Sequence, residues 1–449
     1  MKRLFGTDGI RGIANREPMT AQTAFQIGRA GAYLFKKETN PKILIGKDTR
    51  ISGEMLESAL VAGICSIGVD VLKVGVIPTP AVAYLTRFYQ ANCGIVISAS
   101  HNPFEDNGIK FFQGDGGKFS DSEEEEIERI YLENQTKDEW PIGKNIGKAE
   151  YLSSVAIIKY VNYIKSTIPP DFNLQAIKVV LDCANGATFK VAPQVFKELG
   201  AEVVVIHHHP NGININLNCG STHPALLQEE VLKQHADLGL AFDGDGDRVI
   251  AVDEQGNIVD GDQIMAICAL NLLQKNQLPY QKVVTTVMSN LGFDQAIKKA
   301  GGEVIRTGVG DRYVLERMKS EEVILGGEQS GHIIFSEYST TGDGLLTSLQ
   351  LLKVIKEEAK PLSHLAAVMK KNPQIMLNFK VKDKKFFYRS DNIQRIIKKI
   401  EDELGEEGRI LVRPSGTEPL IRILLEGEDQ KRLEEFSQKL REALEKEEI

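Results

Sequence analysis

Several large protein classes are excluded by what this sequence has little of. Cysteine occurs only five times, at positions 65, 93, 183, 219 and 268, an odd number with no C-x-x-C pair. That scatter excludes a disulfide scaffold and a paired-cysteine zinc module, and reads as the reduced thiols of a cytoplasmic protein. No apolar run approaches the roughly 18 residues of a membrane span. The opening MKRLFGTDGIRG has basic residues but neither an apolar core nor a cleavage site, so no secretory signal is expected. Positive charge is not in excess: 54 Lys and Arg face 62 Asp and Glu, a net −8 that lacks the basic footprint of a nucleic-acid binder. Also absent are the GxxxxGKS/T loop of nucleotide-binding enzymes and the GxSxG elbow of α/β hydrolases. The 42% apolar and 26% charged residues are ordinary globular usage, which excludes disorder and fibre.

What is present begins with an internal repeat. At about 150 residues per domain the length predicts roughly three domains, with two or four allowed. Three segments share one plan of strand, polar loop, helix, glycine and strand. They run from KILIGKD at Lys42 to GVDVLKVG at Gly68, from KVVLDCANG at Lys178 to GAEVVVIHH at Gly200, and from KVVTTVMSN at Lys282 to GGEVIRTGVG at Gly301. Val- and Ile-rich openings suit strands buried on both faces, and helix followed by glycine is a C-cap signature. Each segment therefore reads as a βαβ unit with parallel strands. From about residue 372 the pattern changes to LNFKV, NIQRIIKKIEDELG, RILVR, IRILLEG and a terminal amphipathic helix, a smaller α+β domain. The expected boundaries are 1–153, 154–255, 256–370 and 371–449, with linkers near 150–158 and 369–376. EEEEIE at 123–128 reads as a solvated helix face.

Four loops carry the candidate chemistry. SASHNPFEDNGIKFF follows the apolar strand CGIVI and sets Ser100 and His101 at the carboxyl end of a parallel strand, with Lys110 ten residues on. Ligands sit at such ends in open α/β folds, although every residue type there also forms turns. LGLAFDGDGDRVIAVDE presents Asp243, Asp245 and Asp247. Three carboxylates so close repel one another unless a cation neutralises them. The EF-hand pattern fails because its sixth position is Arg248 instead of glycine and the flanks are strands; Mg²⁺ with phosphate oxygens fits, and Arg248 adds a phosphate donor. ILGGEQSGHIIF offers Glu328, Ser330 and His332 as hydroxyl-recognition groups. VRPSGTEPLIR offers Arg413, Ser415, Gly416, Thr417 and Arg422, a cradle for a phosphate dianion. The run His207, His208, His209 at a strand end cannot converge on one metal and reads as structural.

In this combination FGTDGIRG, SASHNP, DGDGDR, GGEQSGH and RPSGTEP resemble the α-D-phosphohexomutase family across essentially the whole chain. Gln329, TTGDGLLTSLQLL at 340–352 and NCGSTHP at 218–224 are similar to its amino-sugar branch more than to the phosphomannomutase/phosphoglucomutase branch. STHPALLQ departs from that pattern, which has an acidic residue after the proline. The resemblance implies three related α/β domains and a fourth α+β domain around a central cleft, closed by a hinge at 369–376. It implies a phosphoserine at Ser100 and one Mg²⁺ held by Ser100, Asp243, Asp245 and Asp247. Glucosamine 6-phosphate and glucosamine 1-phosphate would interconvert through a hexosamine 1,6-bisphosphate, both intermediate and activator, feeding UDP-N-acetylglucosamine and cell-wall synthesis. Arg413, Ser415, Gly416, Thr417 and Arg422 would hold the phosphate that is not reacting, with Arg248, Glu328 and Ser330 also on the substrate. Lys110 would shuttle protons with Arg11 as its partner, and His101 would either join the catalysis or order the loop. His332 would shape the sugar loop, and Asp8, Arg50 and Arg312 are further candidates for the cleft. The expected partner is a small sugar phosphate, with no nucleic acid and no membrane, and a homodimer among the permitted assemblies. The rival readings are a phosphomannomutase/phosphoglucomutase, a metal-dependent sugar phosphatase using an Asp of DGDGDR, and a noncatalytic sensor.

Overall fold

The computed structural model describes residues 4–6, 8–381, 387, 389–405, 408–414 and 420–446. Two compact units emerge: Met1–Met288 with Ala300–Val368, and Ser289–Lys299 with Met369–Ile449. Among the described residues no helix is long and apolar enough to cross a membrane.

The first unit contains three sheets. One is formed by β1 (Ile10–Ile13), β2 (Lys42–Lys47), β3 (Asp70–Val76), β4 (Cys93–Ile97), β5 (Asp106–Gln113) and β6 (Ala149–Tyr151), in the order β1-β5-β4-β2-β3-β6. The next has β7 (Lys178–Asp182), β8 (Glu202–Ile206), β9 (Leu238–Phe242), β10 (Val249–Asp253) and β11 (Ile258–Val259), ordered β11-β10-β9-β7-β8. The third has β12 (Lys282–Thr286), β13 (Glu303–Thr307), β14 (Leu325–Gly327) and β15 (Ile333–Phe335), ordered β13-β12-β14-β15. The repeat is visible in the pairing: β2 with β3, β7 with β8 and β12 with β13 are all parallel. Central strands such as β4 and β9 are buried at every residue, as unbroken apolar runs require.

Each sheet then departs from pure βαβ winding in the same way. Strand β4 pairs antiparallel with β5, β9 with β10, and β14 with β15. The serine, aspartate and Gly-Glu-Gln loops are therefore the connections of three antiparallel pairs, each carrying side chains beyond the carboxyl end of a buried strand. Residues 150–158, expected as a linker, instead form the end of β6 and the start of the helix Ser153–Ser166. Within EEEEIE, Glu124 is buried and pairs with Arg312, so this helix face is only partly solvated.

The second unit is an antiparallel sheet of β16 (Gln374–Lys380), β17 (Gly408–Pro414) and β18 (Leu420–Gly427), ordered β16-β18-β17. Helices Asp391–Leu404 and Gln430–Lys446 cover it through a core that includes Leu377, Ile400, Ile423, Leu433 and Phe436. This unit also contains the helix Leu291–Lys299, the crossover of the third repeat. Glu426, fully buried, accepts the Leu291 N–H at 2.6 Å and the Arg409 guanidinium at 2.8 Å. Asn290 Nδ2 donates to Asn372 O at 2.9 Å. The chain thus enters this unit twice, and the segment at 369–376 is one connection among three.

Helices Ala21–Tyr33 and Gly53–Cys65 pack backbone to backbone. A Cβ on Gly28 would stand 2.7 Å from Leu60 O, and one on Gly63 would collide with Phe25 O. Gly63→Ala must push the two helices apart, and a loss of about 2–3 kcal/mol is expected in chemical denaturation; an unchanged midpoint would show that this approach is not tight.

Candidate active site

Ser100 stands beyond β4 with its backbone in the left-handed region, φ 53°, which a non-glycine residue adopts only when its surroundings hold it there. The surroundings are specific. The Ser100 N–H donates to Ser98 Oγ at 2.9 Å, and Ser98 Oγ donates to Asp48 at 2.6 Å. Arg50, buried, donates to Asp48 at 2.9 Å and to the carbonyls of Ser100, Asn102 and Asp106 at 3.0, 2.8 and 3.0 Å, with a further bond to Pro103 O. Asn216 reaches from the second sheet to two of those carbonyls, Ser100 O at 2.8 Å and Asn102 O at 3.0 Å. A Cβ on Gly244 would lie 2.6 Å from both Ser100 O and Asn216 Nδ2, so the aspartate loop approaches the serine loop as only glycine allows.

The side chain of Ser100 is thereby aimed at the aspartate loop, donating to Asp243 Oδ2 at 2.7 Å. Asp243, Asp245 and Asp247 are all buried, and each meets a different partner. The Arg248 N–H donates to Asp243 at 3.2 Å. Asp245 accepts Thr79 Oγ1 at 2.7 Å and Lys110 Nζ at 3.1 Å. Asp247 faces His332 Nδ1 at 3.5 Å; the Gly342 N–H donates to His332 Nε2 at 3.0 Å, which leaves the ring proton on the Asp247 side. Burial, then Asp247 and Asp245, push Asp243 far above the usual carboxylate range. Burial acts on Asp247 in the same sense, but His332, Lys110 and Arg248 outweigh it and hold that carboxyl low.

From Asp245 a line of alternating charge leads outward: Lys110 lies 3.1 Å from Asp8, Asp8 lies 2.7 Å from Lys118, and Lys118 pairs with Asp311. Arg11 closes on Asp8 from the side. Burial lowers Lys110, yet Asp245 and Asp8 overcome this and hold it protonated above its ordinary value. His101 behaves oppositely: burial, with Arg248 and Arg11 nearby, lowers it to about 4, and its Nδ1 lies 3.3 Å from Ser100 Oγ.

The three carboxylates fit a hard divalent cation. One oxygen from each lies within 4.8 Å of the others, and Asp245 Oδ1 and Asp247 Oδ1 are buried without a hydrogen-bond partner. In the Gly-Glu-Gln loop, Glu328 is partly buried and accepts the Gly310 N–H at 3.2 Å, while Ser330 is exposed. Gly331, φ 89°, lies where a Cβ would strike Val249 O. In the second unit Arg413 and Arg422 are direct cross-strand partners. Like charges so placed are unfavourable unless an anion joins them; burial and Arg422 lower Arg413 accordingly. Ser415, Gly416 and Thr417 lie outside the described residues. Of the outlying candidates, Asp8 joins the charge line and Arg50 the serine loop, whereas Arg312 is engaged by Asp121, Glu124 and Phe119 O. Thr79, Lys118, Asn216 and Asp311 have no motif of their own and escaped the sequence reading.

Comparison with known proteins agrees over the whole length. The family described as phosphoglucomutase/phosphomannomutase matches in four parts: alpha/beta/alpha domain I over residues 2–138, domain II over 158–256, domain III over 260–372 and the C-terminal domain over 376–443. The phosphoglucosamine mutase of Clostridium acetobutylicum is 55% identical over 449 residues, 99% of this chain and 99% of that protein. That of Desulforamulus reducens is 54% identical over 443 residues, covering 98% and 99%. Among solved structures, a phosphoglucomutase/phosphomannomutase family protein of Burkholderia thailandensis aligns at a TM-score of 0.81 and 26% identity, covering 99% of this chain and 97% of that one. The Aspergillus fumigatus N-acetylphosphoglucosamine mutase in complex with GlcNAc-6P and magnesium shares the fold at a TM-score of 0.69 and 16% identity, covering 98% and 95%.

Arg50 supports this geometry from below. Arg50→Ala leaves Asp48 charged, buried and without its guanidinium, and urea denaturation should report a loss of about 3–5 kcal/mol. Arg50→Lys, which keeps the charge but not the fork, should recover only part of it.

Proposed function

The chain belongs to the phosphoglucomutase/phosphomannomutase family, the α-D-phosphohexomutases, and on that premise we propose that it interconverts glucosamine 6-phosphate and glucosamine 1-phosphate. The observation that carries the reading is the 2.7 Å contact of Ser100 Oγ with the buried Asp243, Asp245, Asp247 cluster. It occurs in a chain more than half identical to proteins named phosphoglucosamine mutase.

In this reading Ser100 carries the transferable phosphoryl group. The O1 hydroxyl of glucosamine 6-phosphate attacks its phosphorus; the O1–P bond forms as the P–Oγ bond breaks, and the hydroxyl proton is given up while Oγ takes one. The hexosamine 1,6-bisphosphate reorients, and Ser100 Oγ attacks the 6-phosphoryl group. The serine is phosphorylated again and glucosamine 1-phosphate leaves. Added bisphosphate activates by loading unphosphorylated Ser100. Asp243, Asp245, Asp247 and a Ser100 oxygen would hold one Mg²⁺, which when bound neutralises charge on the transferring phosphoryl oxygens.

The residues supply positioning and protons, as phosphoryl transfer demands. Lys110, kept protonated by Asp245 and Asp8, can lend a proton and adds positive charge beside the reacting group. His101, uncharged at neutral pH, can take the Ser100 proton in the return transfer. Arg11 steadies Asp8, and Arg248 offers a guanidinium at the loop's edge. Glu328 and Ser330 are assigned to sugar hydroxyls, and Arg413 and Arg422, with Ser415, Gly416 and Thr417, to holding a phosphate dianion.

The test offers glucosamine 6-phosphate, glucose 6-phosphate and mannose 6-phosphate in competition, with Mg²⁺ and a trace of hexose 1,6-bisphosphate, and follows products by phosphorus NMR. Glucosamine 1-phosphate should dominate by a wide margin. Better turnover of the neutral hexoses would reassign the substrate, and net release of inorganic phosphate would sink the mutase. Ser100→Ala should abolish turnover, and Lys110→Met should lower kcat by about 10²–10⁴.

A further inference from the structure

A second group of metal-ligating side chains comes together in the first unit, made of different chemistry from the cluster at Ser100. Asp182 ends β7, His207 follows the last residue of β8, and Cys219 lies in the loop before the helix Ala225–Gln234. One ligand atom from each lies within 4.8 Å of the other two. We propose that Asp182, His207 and Cys219 form a binding site for a thiophilic divalent cation of the Zn²⁺ class.

The donor set speaks first. A thiol, an imidazole and a carboxylate suit a borderline-soft ion at tetrahedral distances and are poorly matched to Mg²⁺, the preference of an all-oxygen cluster. The position of the imidazole is the second observation. His207 Nδ1 lies 3.1 Å from Asp182 Oδ1, an ion pair when the ring is protonated. A cation entering here would take the place of the imidazole proton between the two atoms. The His207 backbone stands in the left-handed region, φ 45°, directly after the last residue of β8. Of the three consecutive histidines only His207 belongs to this group, so the run does not converge on one metal.

Asp182 is oriented as ligating carboxylates are. Its Oδ1 accepts the Ala184 N–H at 2.9 Å and its Oδ2 accepts the Gly220 N–H at 2.9 Å, which fixes the group and leaves each oxygen further acceptor capacity. Burial, with Asp182 beside it, pushes the Cys219 thiol up to about 12, so the sulfur keeps its proton until a cation arrives and that proton passes to solvent. Asp182 and Cys219 are sealed, whereas 21% of the His207 side chain is exposed, which gives an ion its way in. The absence of C-x-x-C spacing excludes paired-cysteine zinc modules but not a site assembled from three elements. Such an ion would tie together the ends of β7 and β8 and the loop carrying Asn216, whose amide braces Ser100 O at 2.8 Å.

Cobalt substitution tests this in the full-length protein. After chelation, with the Asp triad saturated by excess Mg²⁺, Co²⁺ should produce a thiolate-to-cobalt charge-transfer band in the near ultraviolet at one equivalent. Zn²⁺ should abolish it; an oxygen-only site gives no such band. Cys219→Ser should remove the band, and Cys183→Ser, at the neighbouring buried cysteine, should keep it. His207→Gln alters a partly exposed side chain and should weaken Zn²⁺ binding at least about tenfold in competition with a chromophoric chelator. If Cys219→Ser does not fold, the wild-type band and the His207→Gln titration decide the matter between them. No thiolate band in the wild type, a band that persists in Cys219→Ser, or unchanged affinity in His207→Gln overturns the assignment.

Discussion

Three carboxylates buried within five residues of a strand end impose a condition on everything near them, because water cannot screen them and they cannot move apart. Asp243, Asp245 and Asp247 meet it by having separate neighbours drawn from separate elements: the Ser100 hydroxyl, Thr79 with Lys110, and His332. These partners come from the connections of two other antiparallel pairs, from β5 and from the start of the helix Thr79–Phe88. Burial and the two neighbouring carboxylates still push Asp243 upward, so these partners leave the cluster short of positive charge, as fits a hard divalent cation. Lys110 is in turn held by Asp8, and Lys118 by Asp8 and Asp311. The geometry around Ser100 is thus the inner end of a longer electrostatic arrangement that draws on all three sheets of the first unit.

The arrangement also explains the recurring strand reversal. A parallel βαβ unit leaves its loop running away into a helix, whereas an immediate return in the opposite direction keeps both flanks of the loop anchored by main-chain hydrogen bonds. Strands β4–β5, β9–β10 and β14–β15 do this in the first unit, and β17–β18 does it in the second. Rigid flanks let Ser100 occupy an unfavourable backbone region without relaxing, and they let Gly244 bring two loops within contact of each other.

Legibility in the sequence follows the range of the interactions. The three βαβ repeats were readable because apolar runs and helix-ending glycines are local signals, and DGDGDR was readable because its repulsion is contained within a few residues. What could not be read was set by distance along the chain. Thr79 and Asp245 are 166 positions apart, Asn216 and Ser100 are 116 apart, and Lys118 and Asp311 are 193 apart. Each of these residues is an ordinary polar side chain until the fold delivers its partner. Glu124 failed for the opposite reason: a run of glutamates predicts solvent on average, but one of them turns inward to a guanidinium that the local pattern cannot foresee. The segment 150–158, expected as a linker, has regular backbone instead, the end of β6 and the start of the helix Ser153–Ser166.

The second unit is built from two separate stretches of chain, with Leu291–Lys299 fixed to it through Glu426, Asn290 and Asn372. A gene fusion or natural recombination that exchanged only the segment after residue 369 would set the incoming sheet and its buried Glu426 against a helix that had evolved with a different partner. The carboxyl-terminal region is therefore not a free cassette. Its inheritance is linked to a short segment some 70–80 positions upstream, and substitutions on either side of that gap should be accepted only in matched pairs.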